Sequence, residues 1–112
     1  MNLKQIIEKL NLKVIAAEDS VDVEVKGGYV SDLLSDVMAN ARNKSIWITL
    51  QMHQNIIAVA SLKEIAGIII VNGRKPDEET IKKAEEQKIP LLLSDLPAFE
   101  IAGMLYSMGI SG

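Results

Sequence analysis

The chain has 112 residues, with 12 Lys and Arg against 15 Asp and Glu, and therefore a formal net charge of −3. Its length suits one domain, its 48% apolar content excludes intrinsic disorder, and the absence of cysteine excludes a disulfide scaffold or a thiolate metal site. The acidic balance argues against nucleic-acid binding. No apolar run approaches the ~20 residues of a membrane span, and no signal-peptide core opens the chain. We therefore expect a cytoplasmic protein with no membrane contact.

The first quarter of the chain predicts a helix followed by two strands. Apolar residues recur at helical spacing over residues 2–10, which predicts an amphipathic helix ending at Asn11. The apolar run 13–17 predicts a strand. Over residues 21–25 valines alternate with acidic residues, which predicts a half-exposed strand. The pair Gly27-Gly28 is the turn expected to end that strand.

A second helix is predicted over residues 33–41, where apolar residues form one face. Ser31 or Asp32 is its expected cap, and Asn43 is the expected left-handed stop after it.

Strands and helices alternate with short connections from residue 45 onward. The segment 68–71 is apolar on both faces, which is typical of a central strand in a parallel sheet covered by helices on both sides. The predicted elements are a strand over 45–50, a helix over 56–65 capped by Asn55, a strand over 68–71, a turn at Asn72-Gly73, a helix over 78–87 capped by Asp77, a strand over 89–93, and a helix over 96–108 capped by Ser94 or Asp95. Right-handed crossovers between parallel strands follow from this order. We predict one α/β domain over residues 1–112, with a mainly parallel sheet and helices on both faces.

The common nucleotide and catalytic motifs are missing. The sequence contains neither GxxxxGK[ST] nor GxGxxG after a strand, and no GxSxG elbow. Its only histidine, His53, has no cysteine or second histidine with which to bind zinc. We interpret it as a loop or surface residue, with contact to a ligand as the alternative. The run Asp77-Glu78-Glu79 indicates a helix start favoured by the macrodipole rather than a metal site. We expect no catalytic residue, no metal and no cofactor.

Polar residues follow each of three apolar strands, where ligands collect in open parallel sheets. The candidate ligand-binding residues are Thr49, Gln51, His53, Asn72, Gly73, Arg74 and Ser94. Turns and helix caps by themselves also require such residues. Arg74 and Lys75 have no capping role and are the best candidates for holding an anion, whereas the acidic start of the following helix would repel one.

Turn glycines and apolar segments follow one another in an order typical of a known family. They are the segments 25–36, Ile46-Trp47-Ile48-Thr49, 67–73 with Pro76, and Ile89-Pro90-Leu91-Leu92. On these residues the chain resembles, from about residue 21 to residue 110, a free-standing DRTGG domain, related to the N-terminal domain of HPr kinase/phosphorylase. The resemblance implies the fold of that domain and a regulatory, commonly dimeric role, without the separate P-loop kinase domain. Such domains accompany CBS domains in some inorganic pyrophosphatases and precede catalytic domains in some phosphotransacetylases and kinases.

The residues that give the family its name differ in this chain. Where Asp-Arg would follow the strand 45–50, the chain has Gln51-Met52-His53, and where Thr-Gly-Gly would follow the central strand it has Val71-Asn72-Gly73. Only the second glycine of that motif is kept.

Three functions are compatible with these observations. The leading hypothesis is a non-enzymatic regulatory or interaction module that dimerises and binds a small anionic metabolite or nucleotide, or a partner protein. The second is a dedicated sensor in which affinity for a small molecule, rather than dimerisation, is the function. The third is a small enzyme using Thr49, His53, Asn72 and Asp95, which lacks a base–nucleophile pair at recognisable spacing.

A surplus of apolar helix surface predicts a homodimer. The last helix is apolar well beyond the ~100° stripe that a surface helix buries, and the helix 56–65 has the same excess. The alternative is that Ala102 and Gly103 let the last helix pack tightly inside one subunit.

Overall fold

The structure, a computed structural model, describes residues 1–112 and contains five α-helices, one short 3₁₀ helix (Glu18–Ser20) and a five-stranded sheet. The helices are α1 (Leu3–Leu10), α2 (Leu34–Asn40), α3 (Asn55–Leu62), α4 (Glu78–Gln87) and α5 (Ala98–Ser107). The strands are β1 (Lys13–Ala16), β2 (Gly27–Val30), β3 (Ser45–Thr49), β4 (Gly67–Ile70) and β5 (Leu91–Leu93). The predicted α/β domain with a mainly parallel sheet is confirmed.

The strand order is β1-β5-β4-β3-β2, and the four strands β2 to β5 are parallel. Each parallel pair is joined by one crossover helix. In this strand order β4 is the central strand, as the apolar segment 68–71 predicted. Strand β1 pairs antiparallel with β5 at one edge. Its direction could not be predicted from the run 13–17, because both strand directions bury the same residues.

Helices cover both faces of the sheet because side chains of a strand alternate between its two sides. On β4, Ile69 packs into one core with α1 and α5, whereas Ile68 and Ile70 pack into a second core with α2, α3 and α4. Every residue of β3 and β4 is buried. The two central strands are therefore packed on both faces, and their ends are positioned by both cores.

The strand predicted over residues 21–25 is wrong. This segment is extended and runs along the N-terminus, where the Leu3 amide donates to the Val23 carbonyl and the Val25 amide to the Met1 carbonyl, both at 2.8 Å. The chain enters the sheet only at Gly27, where a turn was predicted. A Cβ on Gly27 would lie 3.0 Å from the Ser111 carbonyl oxygen and 2.8 Å from Arg42 Nη2, so glycine here lets the end of the chain come close to β2.

Several predicted helix ends shift because side chains find other partners. Ser31 Oγ accepts from the Leu33 amide before α2 begins, and Ser94 Oγ accepts from the Leu96 amide before α5 begins. Neither Asp32 nor Asp95 caps the helix that follows. The left-handed residue before β3 is Lys44, with φ 59°, instead of Asn43.

Helix α3 is shorter than predicted and less exposed. It begins at Asn55 and ends at Leu62. The residue that precedes its first turn is Gln54, whereas Asn55 was predicted in that position. Its large apolar residues are buried under α2 and α4 except Leu62, which is 73% exposed. The predicted apolar excess on this helix is therefore wrong, because the helix is covered within the chain.

Candidate functional site

The carboxyl ends of β3, β4 and β5 lie side by side at one edge of the sheet. The Val71 amide donates to the Thr49 carbonyl at 3.2 Å, and the Gly73 amide to the Ser94 carbonyl at 3.0 Å. Because β1 is antiparallel, its first residue, Lys13, pairs with the last residue of β5 and lies at this same edge. Four strands thus contribute residues to the place where open parallel sheets bind ligands.

A tight turn after β4 determines where Arg74 lies. Asn72 and Gly73 both have left-handed backbones, with φ 63° and 65°, and the Arg74 amide closes the turn on the Val71 carbonyl at 3.2 Å. Asn-Gly is the pair that most readily adopts two successive positive φ angles. A Cβ on Gly73 would lie 3.3 Å from Asp95 Oδ1, so the turn also packs closely on the loop after β5.

These elements enclose a basic cavity of about 270 Å³, called here the strand-end cavity. Its lining residues are Asn11, Lys13, Gly73, Arg74, Lys75, Leu93, Ser94 and Asp95. The lining therefore contains three cations, Lys13, Arg74 and Lys75, and one carboxylate, that of Asp95. None of the three cations forms an ion pair, because the salt bridges of the chain lie elsewhere. A local excess of positive charge in an acidic chain makes this cavity attractive to an anion.

Thr49 and Gln51, two of the predicted ligand-binding residues, are engaged in a different set of hydrogen bonds. Asp32 Oδ1 accepts from Thr49 Oγ1 at 2.9 Å and from the Leu50 amide at 2.7 Å. Gln51 Nε2 donates to the Asp32 carbonyl at 2.8 Å. The Thr49 side chain is 1% exposed, so its hydroxyl connects the end of β3 to the loop before α2 and is out of contact with solvent.

His53 and Asn72 are exposed and do not line the strand-end cavity. His53 Nδ1 accepts from the Asn55 amide at 3.2 Å, which places the imidazole at the start of α3. The Asn72 amide donates to the Leu96 carbonyl at 2.9 Å. The seven predicted residues are therefore divided: Gly73, Arg74 and Ser94 line the cavity, whereas Thr49, Gln51, His53 and Asn72 do not.

The acidic start of α4 lies outside the strand-end cavity. The Met52 carbonyl accepts from Thr80 Oγ1 at 2.7 Å and from the Asp77 amide at 3.1 Å, which holds the first turn of α4 beside the loop after β3. Neither Asp77 nor the two glutamates after it line the cavity. An anion in the cavity would therefore not contact these carboxylates directly.

Sequence reasoning missed two residues of the cavity, Asn11 and Lys13. Asn11 is the left-handed residue that ends α1, with φ 53°, and Lys13 follows two residues later. The sequence does show a sharp turn between α1 and β1. The turn lies beside the cavity only because β1 pairs antiparallel with β5, and that pairing could not be predicted.

No group of three or more His, Asp or Glu side chains in the structure could hold a metal ion. None of its helices has the length and apolar character needed to cross a membrane.

The chain belongs to the DRTGG domain family, whose family model matches residues 5–108. Among solved structures, it is similar to the crystal structure of the CBS and DRTGG domains of the regulatory region of Clostridium perfringens pyrophosphatase, complexed with the activator diadenosine tetraphosphate. The TM-score is 0.70 at 15% sequence identity, and the match covers 93% of this chain and 45% of that chain. The likeness concerns the fold, and this chain spans somewhat less than half the length of its structural relative. No curated protein sequence matches the chain significantly.

Proposed function

We propose that this chain is a non-catalytic regulatory module that binds a small phosphate-bearing anion in the strand-end cavity. The observation that carries the proposal is the meeting of Lys13, Arg74 and Lys75, none of them in an ion pair, around one cavity. The chain as a whole has a net charge of −3, so this concentration of positive charge is local.

The chemistry of the three side chains suits phosphate. The guanidinium of Arg74 offers a planar fork of N–H donors that matches two oxygens of one phosphate, and the two lysines add point charges around it. The volume of about 270 Å³ is below the ~300–1,000 Å³ of pockets that enclose a whole drug-sized ligand. The cavity therefore fits the phosphate end of a nucleotide, with the nucleoside lying outside. The complex of the related regulatory region with diadenosine tetraphosphate supports the same ligand class.

Thermal unfolding with added ligand tests this proposal. The ligands are diadenosine tetraphosphate, ATP and inorganic triphosphate, with adenosine as the ligand that lacks phosphate. A ligand at one hundred times its dissociation constant stabilises the folded state by ~2.7 kcal/mol, which is readily detected. We expect stabilisation by the three phosphate compounds and none by adenosine.

Two variants place the ligand in the cavity. Arg74→Ala should weaken binding by ~1.5–3 kcal/mol, the range for a hydrogen bond to a charged group. Lys82→Ala removes the same charge from an exposed position on α4 that does not line the cavity, and should bind like the wild type. Equal weakening in both variants would show that binding depends on overall charge and not on the cavity. Absence of stabilisation by all three phosphate compounds would refute the proposed function.

We also propose that the module is a homodimer. Helix α5 exposes large apolar side chains: Phe99 is 86% exposed, Tyr106 is 73% exposed and Met104 is 43% exposed. Burial of such side chains is the main driving force of association, and two-fold dimers are the commonest closed assembly. Light scattering at micromolar concentration tests this: a mass near twice 12.3 kDa is expected, and a mass of 12.3 kDa would refute the dimer.

A further inference from the structure

Helix α5 contains a glycine for which the folded chain provides no packing reason. Gly103 lies in the middle of the helix, and a Cβ built on it would have no atom within 4 Å. Glycine destabilises a helix interior relative to alanine, and one use of glycine is to let another backbone or a ligand come close. The sequence alternative was that Ala102 and Gly103 let α5 pack tightly inside one subunit. Ala102 does pack against the core, but no atom of the chain lies near a Cβ at Gly103. The space beside Gly103 is therefore open to a second molecule.

Gly103 is also part of an apolar groove between α1 and α5, with a volume of about 610 Å³. The groove is lined by Lys9, Leu10, Phe99, Glu100, Gly103, Met104, Ser107 and Met108. Phe99 and Tyr106 are seven residues apart on the exposed side of α5, with Gly103 between them. The same surface thus offers a protruding ring, a gap in the helix and a groove of sufficient volume to accept a ring.

The charges of the groove suit a second copy of this chain. Its lining carries one cation, Lys9, and one anion, Glu100, and neither forms an ion pair within the chain. In a two-fold interface, if residue i contacts residue j of the partner then j contacts i. One cation and one anion on the same surface can therefore form two equal pairs between copies, and no second kind of protein is needed to satisfy them.

The apolar area is also of the right order for a dimer. Aromatic side chains bury ~150–250 Å² each, so the two copies of Phe99 and Tyr106 together would bury roughly 600–1,000 Å². That is at least half of the ~1,200 Å² at the lower limit of stable interfaces, and Met104 and Met108 add to it.

We propose that two copies pair through the face of α5 centred on Gly103, with Phe99 of each copy in the α1–α5 groove of the other and Lys9 facing Glu100 across the interface. This inference rests on the dimer proposed above and specifies its surface. It is independent of the strand-end cavity, whose lining shares no residue with the groove.

Charge exchange tests the pairing of Lys9 with Glu100. The single variants Lys9→Glu and Glu100→Lys each place like charges opposite one another and should weaken the dimer by about tenfold. The double variant restores opposite charges in both pairs and should regain a dissociation constant near that of the wild type. Lys82→Glu, on the opposite side of the sheet, is the control and should leave the dissociation constant unchanged. Weakening in the single variants with no recovery in the double variant would refute the pairing.

Substitutions on α5 test the apolar part of the surface. Phe99→Ala should weaken the dimer by about 30-fold or more, as expected for a central aromatic residue of an interface. Leu62→Ala, which truncates a side chain that is 73% exposed on α3, should have no effect. Gly103→Ala should weaken the dimer and, in protein diluted to the monomer, raise the urea midpoint, because alanine is the better helix former. A structural role for Gly103 inside the subunit would instead lower that midpoint.

Sedimentation equilibrium of the wild type and of each variant gives the dissociation constants, and circular dichroism shows that each variant is folded. A wild type that is monomeric at all concentrations would refute both the dimer and this surface. A dimer that persists unchanged in Phe99→Ala and in both single charge variants would leave the proposed dimer standing and refute this surface. Binding of triphosphate by the same variants reports separately on the proposed anion site.

Discussion

Removal of the Asp32 carboxylate is expected to destabilise the fold, although the side chain is exposed. Asp32 lies in the loop before α2, and its Oδ1 accepts from Thr49 Oγ1 at 2.9 Å and from the Leu50 amide at 2.7 Å. These bonds connect Asp32 to residues that follow it by 17 and 18 positions in the chain. They lie at the edge of the sheet where the parallel strands end. Asp32→Ala therefore removes an acceptor that nearby backbone does not replace.

The magnitude follows from where the two donors lie. The Thr49 side chain is 1% exposed, so water cannot reach its hydroxyl, and an unsatisfied buried donor costs ~1–3 kcal/mol. The Leu50 amide lies nearer to solvent, and the loss of its bond costs ~1 kcal/mol. We expect the free energy of unfolding to fall by about 2–4 kcal/mol in Asp32→Ala.

A double-mutant cycle separates this pair from the rest of the loop. Thr49→Val removes the hydroxyl while keeping the branched shape, and leaves Asp32 with the Leu50 amide and with water. The double variant Asp32→Ala/Thr49→Val leaves no orphaned hydroxyl, so its cost should be smaller than the two single costs added together. We expect a coupling free energy of ~1 kcal/mol or more, within the range measured for residues in direct contact.

Urea unfolding followed by tryptophan fluorescence is the assay. Trp47 is the only tryptophan, it is fully buried, and its Nε1 donates to the Ser31 carbonyl at 2.8 Å next to the loop in question. Asp19→Ala removes an exposed carboxylate that accepts no side-chain hydrogen bond and should change stability by less than ~0.5 kcal/mol. A similar small change in Asp32→Ala, or additive single costs in the cycle, would refute the reasoning.

Two further predictions concern the turn after β4 and the response to acid. Gly73→Ala should destabilise the protein by ~1–2 kcal/mol, because φ is 65° there and alanine is strained in that region; an unchanged urea midpoint would contradict this. Hydrogen bonds from Ser31, Asn40 and Tyr29 hold the pKa of Asp36 below its usual 3.8. The stability they contribute is therefore complete above pH 3.8 and is lost as the pH falls through the lower folded-state pKa. The urea midpoint of the wild type should thus fall more steeply below pH 3.8 than that of Asp36→Asn, and parallel curves would show that this carboxylate is not linked to folding.

Much of this fold follows from local sequence patterns. The apolar segment 68–71 predicted an interior strand, and the helix over 78–87 was predicted at the bounds the structure has. The pair Asn72-Gly73 predicted its turn. Such features depend on residues within one or two turns of each other, through side-chain periodicity and the φ angles that each residue allows. For this reason the α/β class and the order of elements after residue 45 could be predicted without the tertiary structure.

Other features depend on segments that are distant in the sequence. The valines of residues 21–25 have the alternation of a sheet strand, but the place beside β3 is taken by Gly27–Val30, where glycine lets Arg42 and Ser111 come close. The apolar helix 56–65 indicated an exposed surface, and only its packing under α2 and α4 showed that this surface is covered. In both cases the local pattern allows two arrangements, and contacts with distant residues select one.

The candidate site shows the same division. Arg74 and Ser94 could be assigned to one edge of the sheet from the sequence, because parallel strands must end together. Lys13 joins them only because β1 runs antiparallel beside β5, and Thr49 is withdrawn only because Asp32, 17 residues earlier, accepts its hydroxyl. The sequence alone therefore determined which strands end at the site. The tertiary structure decided which side chains face it. Strand direction and long-range hydrogen bonds depend on contacts between segments that are distant in the sequence, and no short segment determines them.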